Sequence, residues 1–570
     1  MKRAVLVCAL LLSAAGYVFL QTNAPAPKLA TVMPSGALLY LEAPEFGHLL
    51  HEWDASKVKA DWLGSANYAV FSRSNLFPKL QEVFNQYGEA AGFLPDLKSL
   101  MEIAGTDSAL ALYDIRDVEF LYVSRVADAD LLKSQLWAVR DKFEQRQAGG
   151  VSFYLRTDAA SDRTVAFAFV KGYLLLATRD DLVAQALELM AGGSNPSLAS
   201  DRWYRDATAA AAAPGELRLA MNLESLVKSV AFRSYWVQRN VSTIRPYWAG
   251  IADVQRTPGA ITESREFLRS PDAKEVVAPA DAPLSNLLPL VPPEAGLYKA
   301  VRVGEPSEAA ALIVQKLIGT QQQPSRDWRA APFAVSPDSV AGTEGDLETR
   351  IDEQPLPADA GVSDSVAAAG ALVDKSGARA LLLVQASTAG TFVQLPSVVV
   401  LEGGQDWDRD QVRRSLTDAA GKLWTTSQLG AGWVTGTTGR HSIERLNGLG
   451  SLMFANRGRF LFLSNDARLL AAVLDRAGTP PGTGSFTYAA GFRHVRERSN
   501  YDRLMAPLDF TSPAENARFG LAERGAGTPA FFSENIAGLS RVFSGVTEVR
   551  LTEEERGAVT VQTVLYQMAQ

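Results

Sequence analysis

The sequence predicts an α+β protein with two tandem duplicated units behind an N-terminal apolar helix, each unit a mostly antiparallel sheet with helices packed on one face. Three observations support this prediction. Of the 570 residues, 47% are hydrophobic, which is enough to build folded cores. Short alternating apolar stretches are joined through glycine-containing turns, as in antiparallel sheets. A similar succession of predicted strands and helices occurs twice along the chain.

The first segment, residues 1–30, has the features of an export signal followed by a Pro/Ala spacer. Lys2 and Arg3 precede an uncharged apolar run that as a helix spans about 26 Å. Ala24 fits a cleavage site, but Pro25 follows it directly and hinders signal peptidases. We therefore expect a single-pass membrane anchor in preference to a cleaved signal. It places the remainder of the chain in the cell envelope, exported across the inner membrane.

The predicted first unit covers residues 31–270 and begins with a Pro-Ser-Gly turn and an apolar strand around Tyr40. A strand at 119–123 leads into a helix that Asp128 and Asp130 open, because exposed N–H groups at a helix start favour acidic side chains. The later elements are strands within 165–178, at 217–223 and at 260–268, a helix at 180–190 and a helix-like stretch over 240–254.

The predicted second unit covers residues 291–570 and follows a Pro- and Ala-rich linker at 271–290. Tyr298 stands in the place of Tyr40, and the helix opened by Asp408 repeats the apolar spacings of the helix opened by Asp128. The offsets between matched blocks vary, so insertions must separate them, including a Gly/Pro/Asp-rich insertion near 319–361. The alternative is two unrelated α+β domains that share generic patterns.

Three strings of the first unit carry a resemblance to a known group of proteins. They are SANYAVFSRSNLF from Ser65, DSALALYDIRDVEFLYVSRV from Asp107 and TVAFAFVKGYLLLATRDDLV from Thr164. The chain resembles uncharacterised exported bacterial proteins catalogued as a domain of unknown function, best over residues 32–270. The resemblance implies an envelope location and tandem α+β units behind an N-terminal signal or anchor. It implies no catalytic residue, since none is assigned to the group.

The composition argues against several kinds of function. The net charge of −7 without a basic face disfavours nucleic-acid binding. The single cysteine, Cys8, belongs to the apolar export segment, and the four histidines form no metal or catalytic motif. His48 and His51 could share a helix face but lack a third ligand, so a solvated face is expected. We expect no catalytic residue, no metal and no cofactor, and we favour a protein that is not an enzyme.

One region combines arginine with aromatic residues, a combination that favours contact surfaces for protein, carbohydrate or lipid headgroups. The candidate binding face comprises Arg233, Tyr235, Trp236, Arg239, Arg245, Tyr247 and Trp248. The alternative is that the aromatic rings pack under the sheet while the arginines pair with nearby acids.

The leading functional prediction is an uncharacterised, membrane-anchored envelope protein that acts as a binding or scaffolding module. Its expected partners are the membrane, through the N-terminal helix, and an unknown protein, carbohydrate or lipid. Two alternatives remain open: an exported hydrolase with a carboxylate site, and a lipid carrier with an apolar cavity. A large apolar cavity would favour the carrier, and a cleft with paired, pKa-shifted carboxylates would favour the hydrolase.

Overall fold

The computed structural model describes residues 28–65, 68–69, 72, 76–229, 244–271, 284–319, 360–387, 395–424, 432–448, 450–482, 484–497 and 545–569. The chain divides into two compact units. The first unit comprises residues 1–51, 81–209 and 217–226, and the second comprises 52–80, 210–216 and 227–570. The N-terminal segment lies outside the described residues. Within the described ranges, no helix is long and apolar enough to cross a membrane.

The first unit contains an antiparallel sheet whose described strands run in the order β8-β1-β2-β3-β7-β6-β5-β4. The strands are β1 (Leu39–Ala43), β2 (Ser108–Asp114), β3 (Glu119–Arg125), β4 (Glu144–Ala148), β5 (Val151–Thr157), β6 (Thr164–Val170), β7 (Tyr173–Ala177) and β8 (Leu217–Met221). Strands β4 to β7 form consecutive hairpins, while β1 lies between β2 and β8.

The second unit contains a longer antiparallel series, in the order β9-β10-β20-β19-β18-β11-β12-β13-β17-β16-β15-β14. The strands are β9 (Tyr247–Thr257), β10 (Ala260–Arg269), β11 (Ala295–Arg302), β12 (Ala380–Ala386), β13 (Ser397–Glu402), β14 (Gly432–Thr438), β15 (His441–Asn447), β16 (Ser451–Arg457), β17 (Phe460–Ser464), β18 (Tyr488–Arg493), β19 (Val546–Arg556) and β20 (Val559–Met568).

Helices connect these strands. In chain order they are α1 (Phe46–Ala55), α2 (Lys57–Leu63), α3 (Leu76–Ala91), α4 (Leu97–Ile103), α5 (Asp128–Leu131), α6 (Gln135–Ala138), α7 (Asp180–Met190), α8 (Arg202–Ala210), α9 (Leu223–Lys228), α10 (Pro306–Ile313), α11 (Ala360–Lys375), α12 (Arg409–Trp424) and α13 (Ala467–Asp475). The predicted α+β class is therefore confirmed, as is the mostly antiparallel pairing.

The prediction that helices pack on one face of each sheet is wrong for the second unit. In β12, Leu381 and Leu383 face a core built with α10, α11 and α12. The intervening Leu382 and Val384 face a separate core, to which α13 contributes. The apolar runs of β12 and β13 supply hydrophobic side chains to both faces, and such a strand needs cover on both sides.

Two helix predictions also differ from the structure. The helix expected after Asp128 is broken into α5, α6 and a short 3₁₀ turn, because Ser134 caps a new helix by accepting the N–H of Trp137. The helix-like stretch over 240–254 enters strand β9 at Tyr247. Apolar residues spaced three and four apart do not exclude a strand when the intervening positions are also apolar or small.

Candidate functional site

An apolar cavity in the first unit is the candidate functional site. It has two lobes, of about 350 Å³ and about 170 Å³. Leu100, Ile103, Phe120 and Leu176 line both lobes, so the lobes lie side by side. The larger lobe alone falls within the range of about 300–1,000 Å³ that is typical of small-molecule pockets.

One row of paired strand residues forms the floor of the larger lobe. Leu41 pairs with Leu110, Leu110 with Tyr122, and Tyr122 with Leu176, across β1, β2, β3 and β7. All four side chains line the lobe, because residues in register on neighbouring strands point to the same face of a sheet. Phe46 at the start of α1 completes the lining together with residues of α4.

Helices α3 and α4 contribute the lining of the smaller lobe. Tyr87 and Ala91 come from α3, and Leu100 and Ile103 come from α4. A capping box holds the start of α4: Asp96 accepts the N–H of Ser99, and the Ser99 hydroxyl accepts the N–H of Asp96. The helix end that faces the cavity is thus fixed by local hydrogen bonds.

The polar side chains at the cavity already have partners within the protein. Tyr122 donates to the carbonyl of Ile103 at 3.1 Å, and the hydroxyls of Ser108 and Ser124 lie 2.8 Å apart. In the smaller lobe, Tyr87 donates to the carbonyl of Asp117, and Thr178 accepts the N–H of Phe120. A cavity wall whose polar groups already have hydrogen-bond partners provides few hydrogen bonds to water, and such cavities favour apolar ligands.

The two phenols at the cavity also remain neutral. Burial raises the pKa of Tyr122, although hydrogen bonds with Ser108 and Ser124 partly oppose the shift. Burial likewise raises the pKa of Tyr87, against the opposing effect of the Arg163 guanidinium. Both groups therefore stay protonated at physiological pH and add no charge to the lining.

The second unit provides an internal comparison, because its strands β12, β13 and β17 pair in the same order as β2, β3 and β7 and carry a row of side chains that is closed. Leu383 pairs with Val399 and Val399 with Leu463, across β12, β13 and β17. These side chains are 4%, 0% and 0% exposed, because they pack in one core with α10, α11 and α12. In the first unit, Leu110 and Leu176 at the matching positions are only half-buried.

The length of one connection accounts for part of this difference. The segment from β13 to β14, residues 403–431, includes the 16-residue helix α12. The segment from β3 to β4, residues 126–143, is shorter and contains the four-residue helices α5 and α6. A helix rises about 1.5 Å per residue, so the shorter segment covers less of the sheet.

Leucines at the edge of the cavity are accessible to solvent. Leu100 is 36% exposed and Leu217 is 37% exposed, and both belong to the lining of the larger lobe. Exposed leucines beside an apolar cavity form an entrance that an apolar chain can contact before it is buried.

The arginine and aromatic residues of the candidate binding face are only partly described. Arg233, Tyr235, Trp236 and Arg239 lie outside the described residues. Arg245 precedes β9, and Tyr247 and Trp248 begin it.

Tyr247 is half-buried, donates to the hydroxyl of Thr560 and packs against Phe267, with ring centroids 5.3 Å apart. The three of these residues that the structure describes, Arg245, Tyr247 and Trp248, do not line the apolar cavity. The binding face therefore stays a prediction.

The histidines have structural surroundings. His48 and His51 are exposed on α1. His441 is 5% exposed; its Nδ1 accepts a hydrogen bond from Arg457, and its Nε2 lies 2.8 Å from Asp475 Oδ1. His494 packs edge-on against Phe492, and burial lowers its pKa. Among the described residues, no group of three His, Cys, Asp or Glu side chains is placed to hold a metal ion.

Three carboxyl groups have clearly lowered pKa values. Backbone and side-chain hydrogen bonds from Ser99 lower the pKa of Asp96, those from Ser161 lower that of Asp158, and His441 lowers that of Asp475. A glycosidase general acid needs the opposite shift. These three carboxylates are therefore hydrogen-bond acceptors rather than candidates for proton donation.

Sequence reasoning did not identify the cavity residues Leu41, Leu110, Phe120, Tyr122 and Leu176. They alternate along their strands as ordinary core residues do. The sequence feature that could have indicated the cavity is the length of the segment between β3 and β4, which is shorter than the segment between β13 and β14.

Comparisons with known proteins add a distant structural likeness. No family model and no curated protein matches the chain. Crystal form I of TP0453, a Treponema exported protein, aligns with a TM-score of 0.24 and 12% identity, over 43% of this chain and 81% of that one. Crystal form III aligns with a TM-score of 0.24 and 12% identity, over 42% of this chain and 80% of that one. This degree of similarity supports no functional argument.

Proposed function

We propose that the protein is an exported, membrane-anchored envelope protein that binds the acyl chain of a lipid in the apolar cavity of its first unit. The observation that carries this proposal is the half-buried row of Leu41, Leu110 and Leu176 beside Tyr122, which the described helices leave open. It combines the predicted binding module with the lipid-carrier alternative. The envelope location rests on the N-terminal sequence.

The chemistry of the cavity wall indicates that the acyl chain, and not the headgroup, is the part of the lipid that is bound. The lining is almost entirely apolar, and its hydroxyl groups are occupied by internal hydrogen bonds. Each buried methylene contributes about 0.8 kcal/mol, so ten of them contribute about 8 kcal/mol before the cost of association. An unbranched acyl chain supplies such groups without polar atoms, while its headgroup stays at the entrance.

The proposal also includes duplication of one ancestral unit. The order β8-β1-β2-β3-β7-β6-β5-β4 matches the order β18-β11-β12-β13-β17-β16-β15-β14, strand for strand. Hairpins β9–β10 and β19–β20 also match, with strands of 11 and 10 residues in each. After duplication, the first copy kept an open sheet face and the second closed its own.

Native mass spectrometry of the purified full chain tests the proposal. After exhaustive detergent exchange, we expect one lipid to remain bound per chain. Leu176→Trp places a large side chain at the residue shared by both lobes and should remove that lipid. Displacing two methylenes already costs about 1.6 kcal/mol, or more than tenfold in affinity.

Leu132→Trp is the matched control, because Leu132 is exposed and does not line the cavity. It should retain the lipid. A folded wild-type chain without any retained lipid, or equal retention by both variants, would contradict the proposed function.

A further inference from the structure

The strand series of the two units end in matching edge strands that differ in chemistry. Strands β4 and β14 each pair with one neighbour among the described strands, β5 and β15 respectively. Strand β4 has five residues, EQRQA, and carries the charged side chains Glu144 and Arg146. Strand β14 has seven residues, GWVTGTT, and carries no charge. Charged side chains and short length protect an edge strand against pairing with another chain, so β4 is protected and β14 is not.

The turn between β14 and β15 determines which backbone groups of β14 point outward. Gly439 and Arg440 form a two-residue loop between Thr438 and His441, and Gly439 has a φ of 55°. A glycine with positive φ at the first loop position is typical of a type II′ turn, in which the two flanking residues bond to each other. Bonded and outward positions alternate along a strand, so every second residue from Thr437 toward the start of β14 directs its N–H and C=O away from β15. These residues are Trp433, Thr435 and Thr437.

The outward edge of β14 is free and its side chains are held in place. Within the described part of the chain, none of the outward N–H and C=O groups takes part in a hydrogen bond. Trp433 Nε1 donates to the Thr417 hydroxyl of α12 at 2.8 Å, and Thr435 donates to the Glu444 carboxylate at 3.1 Å. Val434, on the opposite face, is 54% exposed. A fixed, uncharged strand with free donors and acceptors is a template for another strand.

We propose that β14 pairs with β14 of a second copy of this chain, antiparallel and centred on Thr435. Thr435 then lies opposite its own copy, and Trp433 lies opposite Thr437 of the second copy. Outward residues thus meet outward residues, so the free N–H and C=O groups of both strands gain partners across a two-fold axis. Threonine pairs are also favourable between neighbouring strands.

The charges around the two edge strands favour self-pairing of β14 alone. Arg409 and Arg413, the arginines beside β14, are both paired with the buried Glu444, so neither is an unpaired charge at the edge. The same antiparallel pairing of β4 would place Arg146 directly opposite its own copy, and like charges in that position are destabilising. The inference does not depend on the proposed function, because β14 contributes no residue to the apolar cavity.

Cysteine crosslinking of the full chain in membranes tests the pair and its register. Cys8 is the only native cysteine, so Cys8→Ser gives a background without thiols. Thr435→Cys in this background places two thiols on residues whose Cα atoms are about 5.5 Å apart, within the range that a disulfide spans. Mild oxidation should therefore give a covalent dimer. Thr437→Cys is the matched control and should give little dimer, because its own copy lies four residues away along the partner strand, about 14 Å.

Charge exchange at the same position tests the pair without a covalent bond. Thr435→Lys and Thr435→Glu each place two like charges opposite each other and should weaken self-association of the purified full chain about fivefold or more. An equimolar mixture of the two variants should restore association, because lysine then faces glutamate. Analytical ultracentrifugation over a range of chain concentrations measures all three samples. A variant that had lost its fold would not be rescued by mixing.

Three results would overturn the inference: a monomeric wild-type chain at every concentration, equal crosslinking of Thr435→Cys and Thr437→Cys, or association of each charge variant as strong as that of the mixture. Crosslinking of Thr435→Cys to a different protein, without any dimer of this chain, would also overturn it.

Discussion

Tryptophan substitutions at Leu176 and Leu463 should have opposite effects on stability. Leu176 lines both lobes of the apolar cavity, whereas Leu463 is fully buried in the matching row of the second unit. Filling roughly 60 Å³ of cavity at about 24 cal/mol per Å³ gives up to about 1.4 kcal/mol of stabilisation for Leu176→Trp. Leu463→Trp should instead cost about 1–3 kcal/mol, because a closed core must move to admit the ring.

Hydrogen exchange in increasing denaturant measures this difference separately in each unit. Peptides from β6 and β7 report on Leu176→Trp, and peptides from β16 and β17 report on Leu463→Trp. The expected gap between the two variants is about 2–4 kcal/mol. Equal destabilisation by both would refute the claim that the first unit has space for a ligand.

Two further predictions concern the fold. The pKa of Asp475 is lowered below the ordinary 3.8 by His441 first and then by Arg440. Its contribution to stability is therefore present above the unfolded pKa and is lost as pH falls through the folded value. The protection factors of β15 peptides, corrected for the intrinsic exchange rate at each pH, should fall at acid pH, and should fall less steeply in Asp475→Asn. Gly105→Ala would place a Cβ 1.8 Å from the carbonyl oxygen of Arg125 and should destabilise the first unit by about 1–3 kcal/mol or more. Gly421→Ala in α12 meets open space and should stabilise the second unit by about 0.5–1 kcal/mol. Hydrogen exchange in increasing denaturant measures both changes.

Local sequence patterns predicted many elements well. The helix expected at 180–190 is α7, and its first turn carries Asp180 and Asp181. The strand expected at 119–123 lies within β3, and the strands expected within 165–178 are β6 and β7. These elements have strong periodicity and nearby stop signals, so local chemistry alone determines them.

The failures required tertiary information. Leu132 and Leu136 lie four residues apart after Asp128, where one continuous helix was expected, yet Leu132 is exposed while Leu136 is buried, because the helix breaks at Ser134. Tyr247 and Trp248 begin a strand that pairs with β10 rather than a helix. The cavity could not be predicted from the sequence either, because its volume depends on how much of the sheet face the helices cover. The sequence around Leu110 is the same whether a helix covers this side chain or leaves it open.

Photo-crosslinking with a diazirine-labelled fatty acid tests the central claim most directly. The probe would be added to membranes that contain the full chain, and the labelled residues mapped by peptide mass spectrometry. We predict labelling of α4, β2, β3 and β7 around Leu100, Leu110 and Leu176, and its loss in Leu176→Trp. Labelling at the matching strands β12, β13 and β17 of the second unit to the same extent, or none at the first-unit strands, would contradict the account.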